Sequence, residues 1–288
     1  MKIAASELII NADGSVFHLH LQPGQIADKV ILVGDPARVD MVADFFDQIE
    51  CRVSHREFYT VTGTYAGKRL SIISTGIGSE NLDIVINELD ALLNIDFATR
   101  EIRAEKKCLE LVRIGTCGSL QADIPLGSFL LSAKSIDACG LLPYYADFRS
   151  ICDDDFARAF IAQTNYREEW PYPCVVNSDA ALMDRIGQDD MWRGVTLTAN
   201  GFYGPQGRQL RLRLEHPHFN ELLEAFRYGE WRICNYEMES AALAGLAEML
   251  GHKATTVCLV IANRHAKEAN VNYQDRMRCL VECVLDRI

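Results

Sequence analysis

The sequence lacks the long apolar runs that cross membranes: no segment reaches about 18 consecutive apolar residues. Its first residues also lack the apolar region of a signal peptide. Basic residues are scarce, because 29 lysines and arginines stand against 40 aspartates and glutamates, for a net charge of −11. This balance disfavours a nucleic-acid surface, and an anionic substrate would need a local basic pocket. We therefore expect a cytoplasmic protein with no membrane or nucleic-acid partner.

The ten cysteines include no CxxC pair and lie mostly in apolar runs, as Cys258 does between Val257 and Leu259. This pattern predicts reduced cysteines in the core. His18 and His20 could begin a metal site, but no third and fourth ligand follows at a suitable spacing. We therefore expect no metal.

Strand-like apolar runs alternate with helix-like amphipathic segments along the chain. Residues 29–33 predict a strand, and Pro36 predicts the start of a helix with Asp35 as its N-cap. The charged segment 99–110 is interpreted as a solvated helical extension, and 137–190 as loops with a helix. Further strands are predicted at 70–75, 128–132, 195–199 and 255–262, and further helices at 82–93, 239–250 and 272–288. The prediction is one α/β domain over residues 1–288, with a mainly parallel or mixed central sheet flanked by helices.

The segment 111–118 is interpreted as a buried strand that runs into a turn of small residues. Arg113 is unusual in this apolar setting, since a buried guanidinium needs an anion. Gly115 and Gly118 would let a ligand approach the backbone, and Thr116 offers a hydroxyl and an amide. Considered alone, an ordinary strand-to-loop turn with a paired arginine explains the segment equally well.

The turn before the first helix has a geometry that suits anions. Gly34 follows a strand and the helix begins two residues later, so backbone N–H groups point toward one spot. Arg38 lies in the first turn, where a cation is unfavourable unless an anion is present. An ordinary capped turn is the alternative.

Taken together, the motifs resemble the nucleoside phosphorylases of the trimeric and hexameric type. The matching segments, in the order of that family, are residues 17–19, 34–38, 55–58, 74–78, 113–118, 202–208, 235–240 and 263–264. The resemblance implies a pentosyltransferase that uses inorganic phosphate as co-substrate and needs no cofactor. It also implies a homo-oligomer, dimer or hexamer, with sites shared between subunits.

The resemblance assigns a role to each candidate residue. Phosphate would be bound by Gly34, Arg38, Arg113, Thr116 and Gly118, with Arg56 supplied by a neighbouring subunit. Ribose would be bound by Glu239, Met238, Glu237 and, across the subunit interface, His18. From the residues alone, Arg56 reads as a surface arginine beside Glu57, and the two glutamates as a helix-start pair favoured by the dipole.

The base-reading residues favour a pyrimidine. Gln206 and Arg208 match a pair that reads uracil, Phe202 matches the ring that stacks on the base, and Arg264 would add positive charge. Purine-specific relatives carry an aspartate in the stretch that here holds Asn263 and Arg264. The resemblance therefore implies reversible phosphorolysis of uridine, with deoxyuridine as a second substrate, to uracil and ribose 1-phosphate in pyrimidine salvage. A polar, exposed loop is the alternative for Gln206 and Arg208.

Other functions remain open. A purine nucleoside phosphorylase or a nucleosidase of the same fold would use many of these residues, and a binding protein without activity belongs to a different class. The arginine set disfavours a nucleosidase, and Glu239 with Arg264 disfavours a mere binder. Some relatives hold a monovalent cation at the interface through a glutamate like Glu57. Residues 79–81 depart from that pattern, so no cation is included here.

Overall fold

The centre of the molecule is a mixed sheet of eleven strands, seen in a computed structural model that describes residues 2–288. The strands are β1 (Lys29–Val33), β2 (Gln48–His55), β3 (Phe58–Tyr65), β4 (Lys68–Ser74), β5 (Ile95–Asp96), β6 (Glu101–Ile102), β7 (Glu110–Ser119), β8 (Phe129–Asp137), β9 (Cys174–Asn177), β10 (Trp192–Thr198), β11 (Ile233–Glu237), β12 (Lys253–Asn263) and β13 (Glu268–Ala269). Strands β5 and β6 form a separate two-stranded ribbon.

Eight α-helices within residues 2–288 cover this sheet. They are α1 (Pro36–Ala43), α2 (Ser79–Asn94), α3 (Phe148–Ile151), α4 (Asp154–Thr164), α5 (Ala180–Gly187), α6 (Phe219–Ala225), α7 (Ser240–Leu250) and α8 (Gln274–Arg287). One apolar core includes side chains from α2 and α7, and another includes side chains from α1, α5 and α8. The predicted α/β class, with a mixed central sheet flanked by helices, is confirmed.

The sheet runs in the order β2-β3-β4-β1-β7-β11-β10-β8-β12-β13, with β9 beside β8. Strand β12 also pairs with β7, so β7, β11, β10, β8 and β12 form a closed ring. Strand β1 is parallel to both β4 and β7, and Arg113 on β7 lies opposite Leu32 on β1. Because β1, β4, β7 and β12 run parallel, their carboxyl ends meet at one edge, where ligands bind in such sheets.

Several helix ends form as the sequence predicts. Asp35 accepts a hydrogen bond from the N–H of Ala37 at 2.9 Å and caps α1, whose first residue is Pro36. Helix α7 ends at Gly251, whose positive φ of 80° suits a residue without a side chain.

Three predicted segments are wrong. Segment 137–190, predicted as loops with a helix, contains the helices α3, α4 and α5 and the strand β9. Residues 115–118 do not form a turn, because β7 continues to Ser119 and pairs with β12 along this length. Segment 99–110 contains no helix in the described structure. It holds β6 and an irregular stretch, and Arg100 donates hydrogen bonds to the carbonyls of Ile3 and Ala4, at 3.0 and 3.1 Å. Segment 99–110 therefore holds the N-terminal residues in place through hydrogen bonds.

The prediction that all cysteines are reduced is wrong for one pair. Cys152 and Cys174 form a disulfide that links α3 to the start of β9, with 5.6 Å between their Cα atoms. The other eight cysteines are free, including the buried Cys117 and Cys258. Among residues 2–288, no helix is both long and apolar enough to cross a membrane.

Candidate active site

A cavity of about 1420 Å³ lies at the carboxyl ends of the parallel strands. Residues from the ends of β1, β4, β7, β11 and β12 meet there: β7, β11 and β12 belong to the closed ring, and β1 and β4 run parallel beside β7. The cavity is lined by twelve of the fourteen predicted site residues: Gly34, Arg38, Arg113, Thr116, Gly118, Phe202, Gln206, Arg208, Glu237, Met238, Glu239 and Arg264. His18 and Arg56 do not line it.

Arg113 lies at the bottom of the cavity and is only 4% exposed. Its guanidinium forms an ion pair with Glu239, and a second with Glu237 at 3.3 Å. Burial by itself would lower the pKa of Arg113, but the charges of Glu239 and Glu237 outweigh burial and raise it. Its Nε is buried without a hydrogen-bond partner among the described residues. Arg113 is thus a permanent cation with one donor still to be satisfied.

The carboxylate of Glu239 lies between a backbone N–H donor and a cation. Its Oε1 accepts a hydrogen bond from the N–H of Gly78 at 2.7 Å, and its other carboxylate oxygen accepts one from Arg113. Burial raises the pKa of Glu239 and the charge of Glu237 adds to this effect, while Arg113 opposes it. A buried carboxylate is therefore fixed in orientation beside the cavity.

Glu237 has a role that its sequence position does not reveal. Its Oε2 accepts hydrogen bonds from the N–H groups of Glu239 and Ser240, both at 2.8 Å. Its Oε1 accepts from the hydroxyls of Thr198 and Ser240, both at 2.7 Å. Glu237 lines the cavity, yet these four bonds make it the anchor of the first turn of α7 and of the Glu239 backbone.

A second buried guanidinium lies near Arg113. Arg38 is 9% exposed and donates a hydrogen bond to the carbonyl of Ile114 at 3.2 Å. Burial lowers the pKa of Arg38, and the positive charge of Arg113 lowers it further. Gly34 allows a close approach here, since a Cβ at that position would stand 3.4 Å from the carbonyl of Gly76. Two buried cations that repel each other make this end of the cavity suited to an anion.

The cavity wall also carries a fixed amide and two more arginines. Arg208 stacks on Phe202, with 3.8 Å from Cζ to the ring centre, and donates to the side-chain oxygen of Gln206 at 2.7 Å. Arg264 donates to the backbone carbonyl of Gln206 at 3.1 Å. Burial, with Arg264 nearby, lowers the pKa of Arg208 to about 10. Within residues 2–288 neither guanidinium forms a salt bridge, so both could bind acceptor atoms of a ligand.

His18 and Arg56 lie together on the surface, away from the cavity that their own protomer encloses. His18 Nδ1 is 2.7 Å from a carboxylate oxygen of Glu88. Arg56 is exposed and lies over the ring of Phe17, with 5.6 Å from Cζ to the ring centre. The neighbouring residue Glu57 does line the cavity. This surface cluster therefore borders the cavity without entering it.

Some residues in the cavity wall and behind it were not predicted. The N–H of Gly78 binds Glu239, Cys258 Sγ lies 3.8 Å from Arg113, and residues 267–271 form part of the wall. Gly78 carried a signal, because it ends the Gly76-Ile77-Gly78 motif; its φ of 102° in the structure is one that glycine adopts readily. The wall from β13 carried none, since its two-residue strand has no hydrophobic pattern.

The fold and the cavity define a class of protein. A sequence model of the Phosphorylase superfamily matches residues 28–284, and the chain belongs to that superfamily. The resemblance to nucleoside phosphorylases inferred from the motifs is therefore confirmed.

The individual relatives include uridine phosphorylases and purine nucleoside phosphorylases. The uridine phosphorylase of Thermococcus kodakarensis is 29% identical over 270 residues, which cover 93% of this chain and 84% of the relative. A DeoD-type purine nucleoside phosphorylase of Bacillus velezensis is 27% identical over 250 residues, which cover 84% of this chain and 85% of the relative. Among solved structures, a Trypanosoma brucei nucleoside phosphorylase described as showing uridine phosphorylase activity has a TM-score of 0.89 at 28% identity. That similarity covers 97% of this chain and 98% of the other.

Proposed function

We propose that this protein catalyses the reversible phosphorolysis of uridine to uracil and ribose 1-phosphate, and that it serves pyrimidine nucleoside salvage. The observation that carries this proposal is the set of groups that line one cavity. They are two buried guanidiniums, a buried carboxylate that is paired with one of them, and an amide with two further arginines. We assign these three sets to the phosphate, the ribose and the uracil of the substrates, which present complementary groups.

At the phosphate end, Arg38 and Arg113 bind the dianion with Thr116 and the N–H of Gly34. Arg113 and Arg38 are buried, and both line the cavity, so their positive charges act on the dianion with little screening by water. A phosphate oxygen attacks the anomeric carbon as the bond to the base breaks, and the electron pair of that bond leaves with the base. Holding phosphate in line with this bond replaces a bimolecular encounter by an oriented one.

In the middle, Glu239 binds the ribose hydroxyls and stabilises the positive charge that develops on the sugar. A fixed carboxylate acts strongly here, because burial limits screening by water. Met238 packs against the sugar, and Glu237 holds Glu239 in place through its backbone N–H. The same arrangement accepts a deoxyribose with one hydrogen bond fewer, so deoxyuridine is a second substrate.

At the base end, Gln206 and Arg208 read the uracil edge, and Phe202 stacks on the ring. Arg264 stabilises the negative charge that a departing pyrimidine carries. A departing purine would need a proton donor, and neither Asn263 nor Arg264 can supply one at neutral pH. One acidic residue of the cavity wall, Glu224, is paired with His265, with 2.6 Å between its carboxylate oxygen and Nδ1 of the histidine. These groups favour uridine over a purine nucleoside.

We propose further that residues 1–288 act as one domain within a cytoplasmic homo-oligomer. His18 and Arg56 would complete the cavity of a neighbouring protomer, since both lie on the surface next to the cavity-lining Glu57. Arg56 would contact phosphate, and His18 the ribose 5′-hydroxyl. A dimer is the smallest assembly that allows this exchange, and a hexamer built from such dimers would contain the same contact.

The test is an absorbance assay of uridine, deoxyuridine, inosine and methylthioadenosine, each with and without phosphate. We expect turnover of uridine, weaker turnover of deoxyuridine, and none without phosphate. Turnover of inosine in preference to uridine would make the protein a purine nucleoside phosphorylase. Cleavage without phosphate would make it a nucleosidase. Binding without any turnover would contradict the proposal altogether.

A further inference from the structure

Glu88, in the middle of α2, binds the segment that carries His18. Its Oε1 accepts hydrogen bonds from the N–H of His18 at 3.0 Å and lies 2.7 Å from Nδ1 of the same residue. Its Oε2 accepts from the N–H of Leu19 at 2.8 Å. One carboxylate thus holds both the backbone and the ring of His18. The side chain of Glu88 is only 12% exposed, whereas that of His18 is 29% exposed.

These contacts decide which ring nitrogen carries the proton. An ionised carboxylate can only accept hydrogen bonds, so Nδ1 of His18 must be the donor. In the neutral imidazole, Nε2 then has no proton and accepts hydrogen bonds on the far side of the ring from Glu88. The carbonyl of His18 accepts a hydrogen bond from His55 at 2.9 Å, and the ring meets Phe17 edge-on at 4.8 Å, which further fix its orientation.

We propose that Glu88 is a positioning residue, which fixes His18 so that Nε2 accepts a hydrogen bond from the ribose 5′-hydroxyl in the neighbouring protomer's cavity. The inference rests on the proposed function. It adds to that function the residue that sets the tautomer, and it limits the effect to substrates with a 5′-hydroxyl. Helix α2 also begins beside Gly78, which binds Glu239, so one rigid helix supports a group of its own site and a group of the next.

The tautomer is measured directly by NMR of protein labelled with ¹³C and ¹⁵N histidine, with His18→Gln used to assign the His18 signal. We expect the ligand-free wild type to show Nδ1 protonated and Nε2 unprotonated. In Glu88→Gln the amide can offer an N–H to Nδ1, so the population with Nε2 protonated should rise. The matched control is Asp13→Asn, because Asp13 pairs with His20 Nε2 at 3.1 Å on the same segment. That variant should leave the His18 tautomer unchanged.

Kinetics separate positioning from a merely structural role. With uridine and phosphate, Glu88→Gln should lower kcat/KM by about 10-fold, because the acceptor nitrogen is replaced by a donor. With 5′-deoxyuridine, which lacks the hydroxyl, wild type and variant should agree within about twofold. Asp13→Asn should change neither value. An equal loss with both substrates would show that Glu88 only supports the fold, and would overturn the proposal.

The NMR and kinetic measurements test the positioning role and the proposed function separately. If the wild type cleaves no nucleoside with phosphate, the proposed function is wrong, while the NMR spectrum still reports whether Glu88 sets the tautomer. If uridine is cleaved but His18 carries its proton on Nε2 in the wild type, the positioning role is wrong and the function stands. The wild-type spectrum decides this even where Glu88→Gln fails to fold.

Discussion

At the scale of single residues, the site depends on three buried charges that compensate one another. Arg113, Glu237 and Glu239 are each no more than 4% exposed. A buried charge is tolerated only with partners, so Arg113 stabilises both carboxylates and both carboxylates stabilise Arg113. The residues proposed for catalysis are therefore also residues that the fold needs.

Arg113→Ala should consequently lose stability as well as activity. Two buried carboxylates would remain without their cation, and we expect the free energy of unfolding to fall by about 3–5 kcal/mol. Phosphate-dependent turnover should disappear, since the phosphate end loses a cation. Both are measured on one preparation, by urea denaturation and by the uridine assay.

A double variant separates the two effects. Arg113→Met with Glu239→Gln removes a charge of each sign, so stability should recover in part while turnover stays absent. A single Arg113→Ala protein as stable as the wild type would contradict the interpretation of the buried charges.

We expect protonation of Glu239 to slow the reaction at a higher pH than protonation of an ordinary glutamate would. Burial raises its pKa above that of an exposed glutamate, so the ionised form is lost on acidification at a higher pH than usual. The comparison is the ratio of kcat/KM for uridine to that for 2′-deoxyuridine, because the titration of phosphate affects both substrates alike. This ratio should fall as the pH decreases, beginning above the range of an ordinary glutamate. A ratio that stays constant down to that range would mean that Glu239 does not bind the 2′-hydroxyl.

At this scale, a residue could be predicted from the sequence when it differed in character from its neighbours or matched a motif. Arg113 could be singled out because a charged residue interrupts an apolar run, and Glu239 because it matched a motif. Glu88 gave no such signal, since its partner His18 lies 70 residues away and the contact exists only after folding. For the same reason, the four hydrogen bonds of Glu237 could not be inferred from its neighbours.

At the scale of elements, uniform hydrophobic patterns were predicted well and mixed ones were not. Strand β1 is a continuous apolar run, and α2 shows one clear apolar face. The hairpin of β2 and β3 was missed, although β2 alternates regularly between exposed and half-buried residues; β3, which contains three threonines and a glycine, shows no such alternation. Segment 99–110 looked helical only through its charges. Strand β7 was cut short because its glycines resemble a turn, although pairing with β12 keeps them extended.

Gly115 on β7 supports a prediction about this strand. An added Cβ would stand 2.3 Å from a terminal nitrogen of Arg113 and 2.9 Å from Cys258 Sγ. The guanidinium must then move away from its two carboxylates, and small displacements of a positioning group cost up to about 100-fold in rate. Gly115→Ala should therefore raise KM for phosphate by about 10-fold or more, as measured by initial rates at saturating uridine.

The control for this variant is Gly63→Ala on β3, which does not line the cavity. Its added Cβ would stand 2.2 Å from the carbonyl oxygen of Gln48, so it should cost about 1–3 kcal/mol of stability without changing KM for phosphate. If Gly115→Ala behaved like this control, the position of Arg113 would not matter for phosphate.

At the scale of the whole molecule, we propose that one protomer supplies an incomplete site. Its cavity is lined by the residues proposed to bind phosphate, sugar and base, while His18 and Arg56 lie outside on the adjoining surface. No pattern within the sequence places these two residues relative to the cavity, because their distance depends on a second copy. The proposed exchange between protomers makes a prediction that does not depend on the substrate being uridine rather than another nucleoside.

Two variants inactive for different reasons should restore each other's activity. Arg56→Ala removes the side chain that a protomer contributes to its neighbour's site. Glu239→Gln impairs the protomer's own cavity. In a mixed dimer, one site combines the intact cavity of the first variant with the intact Arg56 of the second, while the other site carries both defects. Random pairing makes half of the dimers mixed, so coexpression should recover about a quarter of wild-type activity. Glu239→Gln paired with Arg38→Ala is the control, because both changes affect the cavity and no mixed dimer then contains an intact site. Equal activities for the two mixtures would mean that each protomer works with its own Arg56, and the surface cluster would need another explanation.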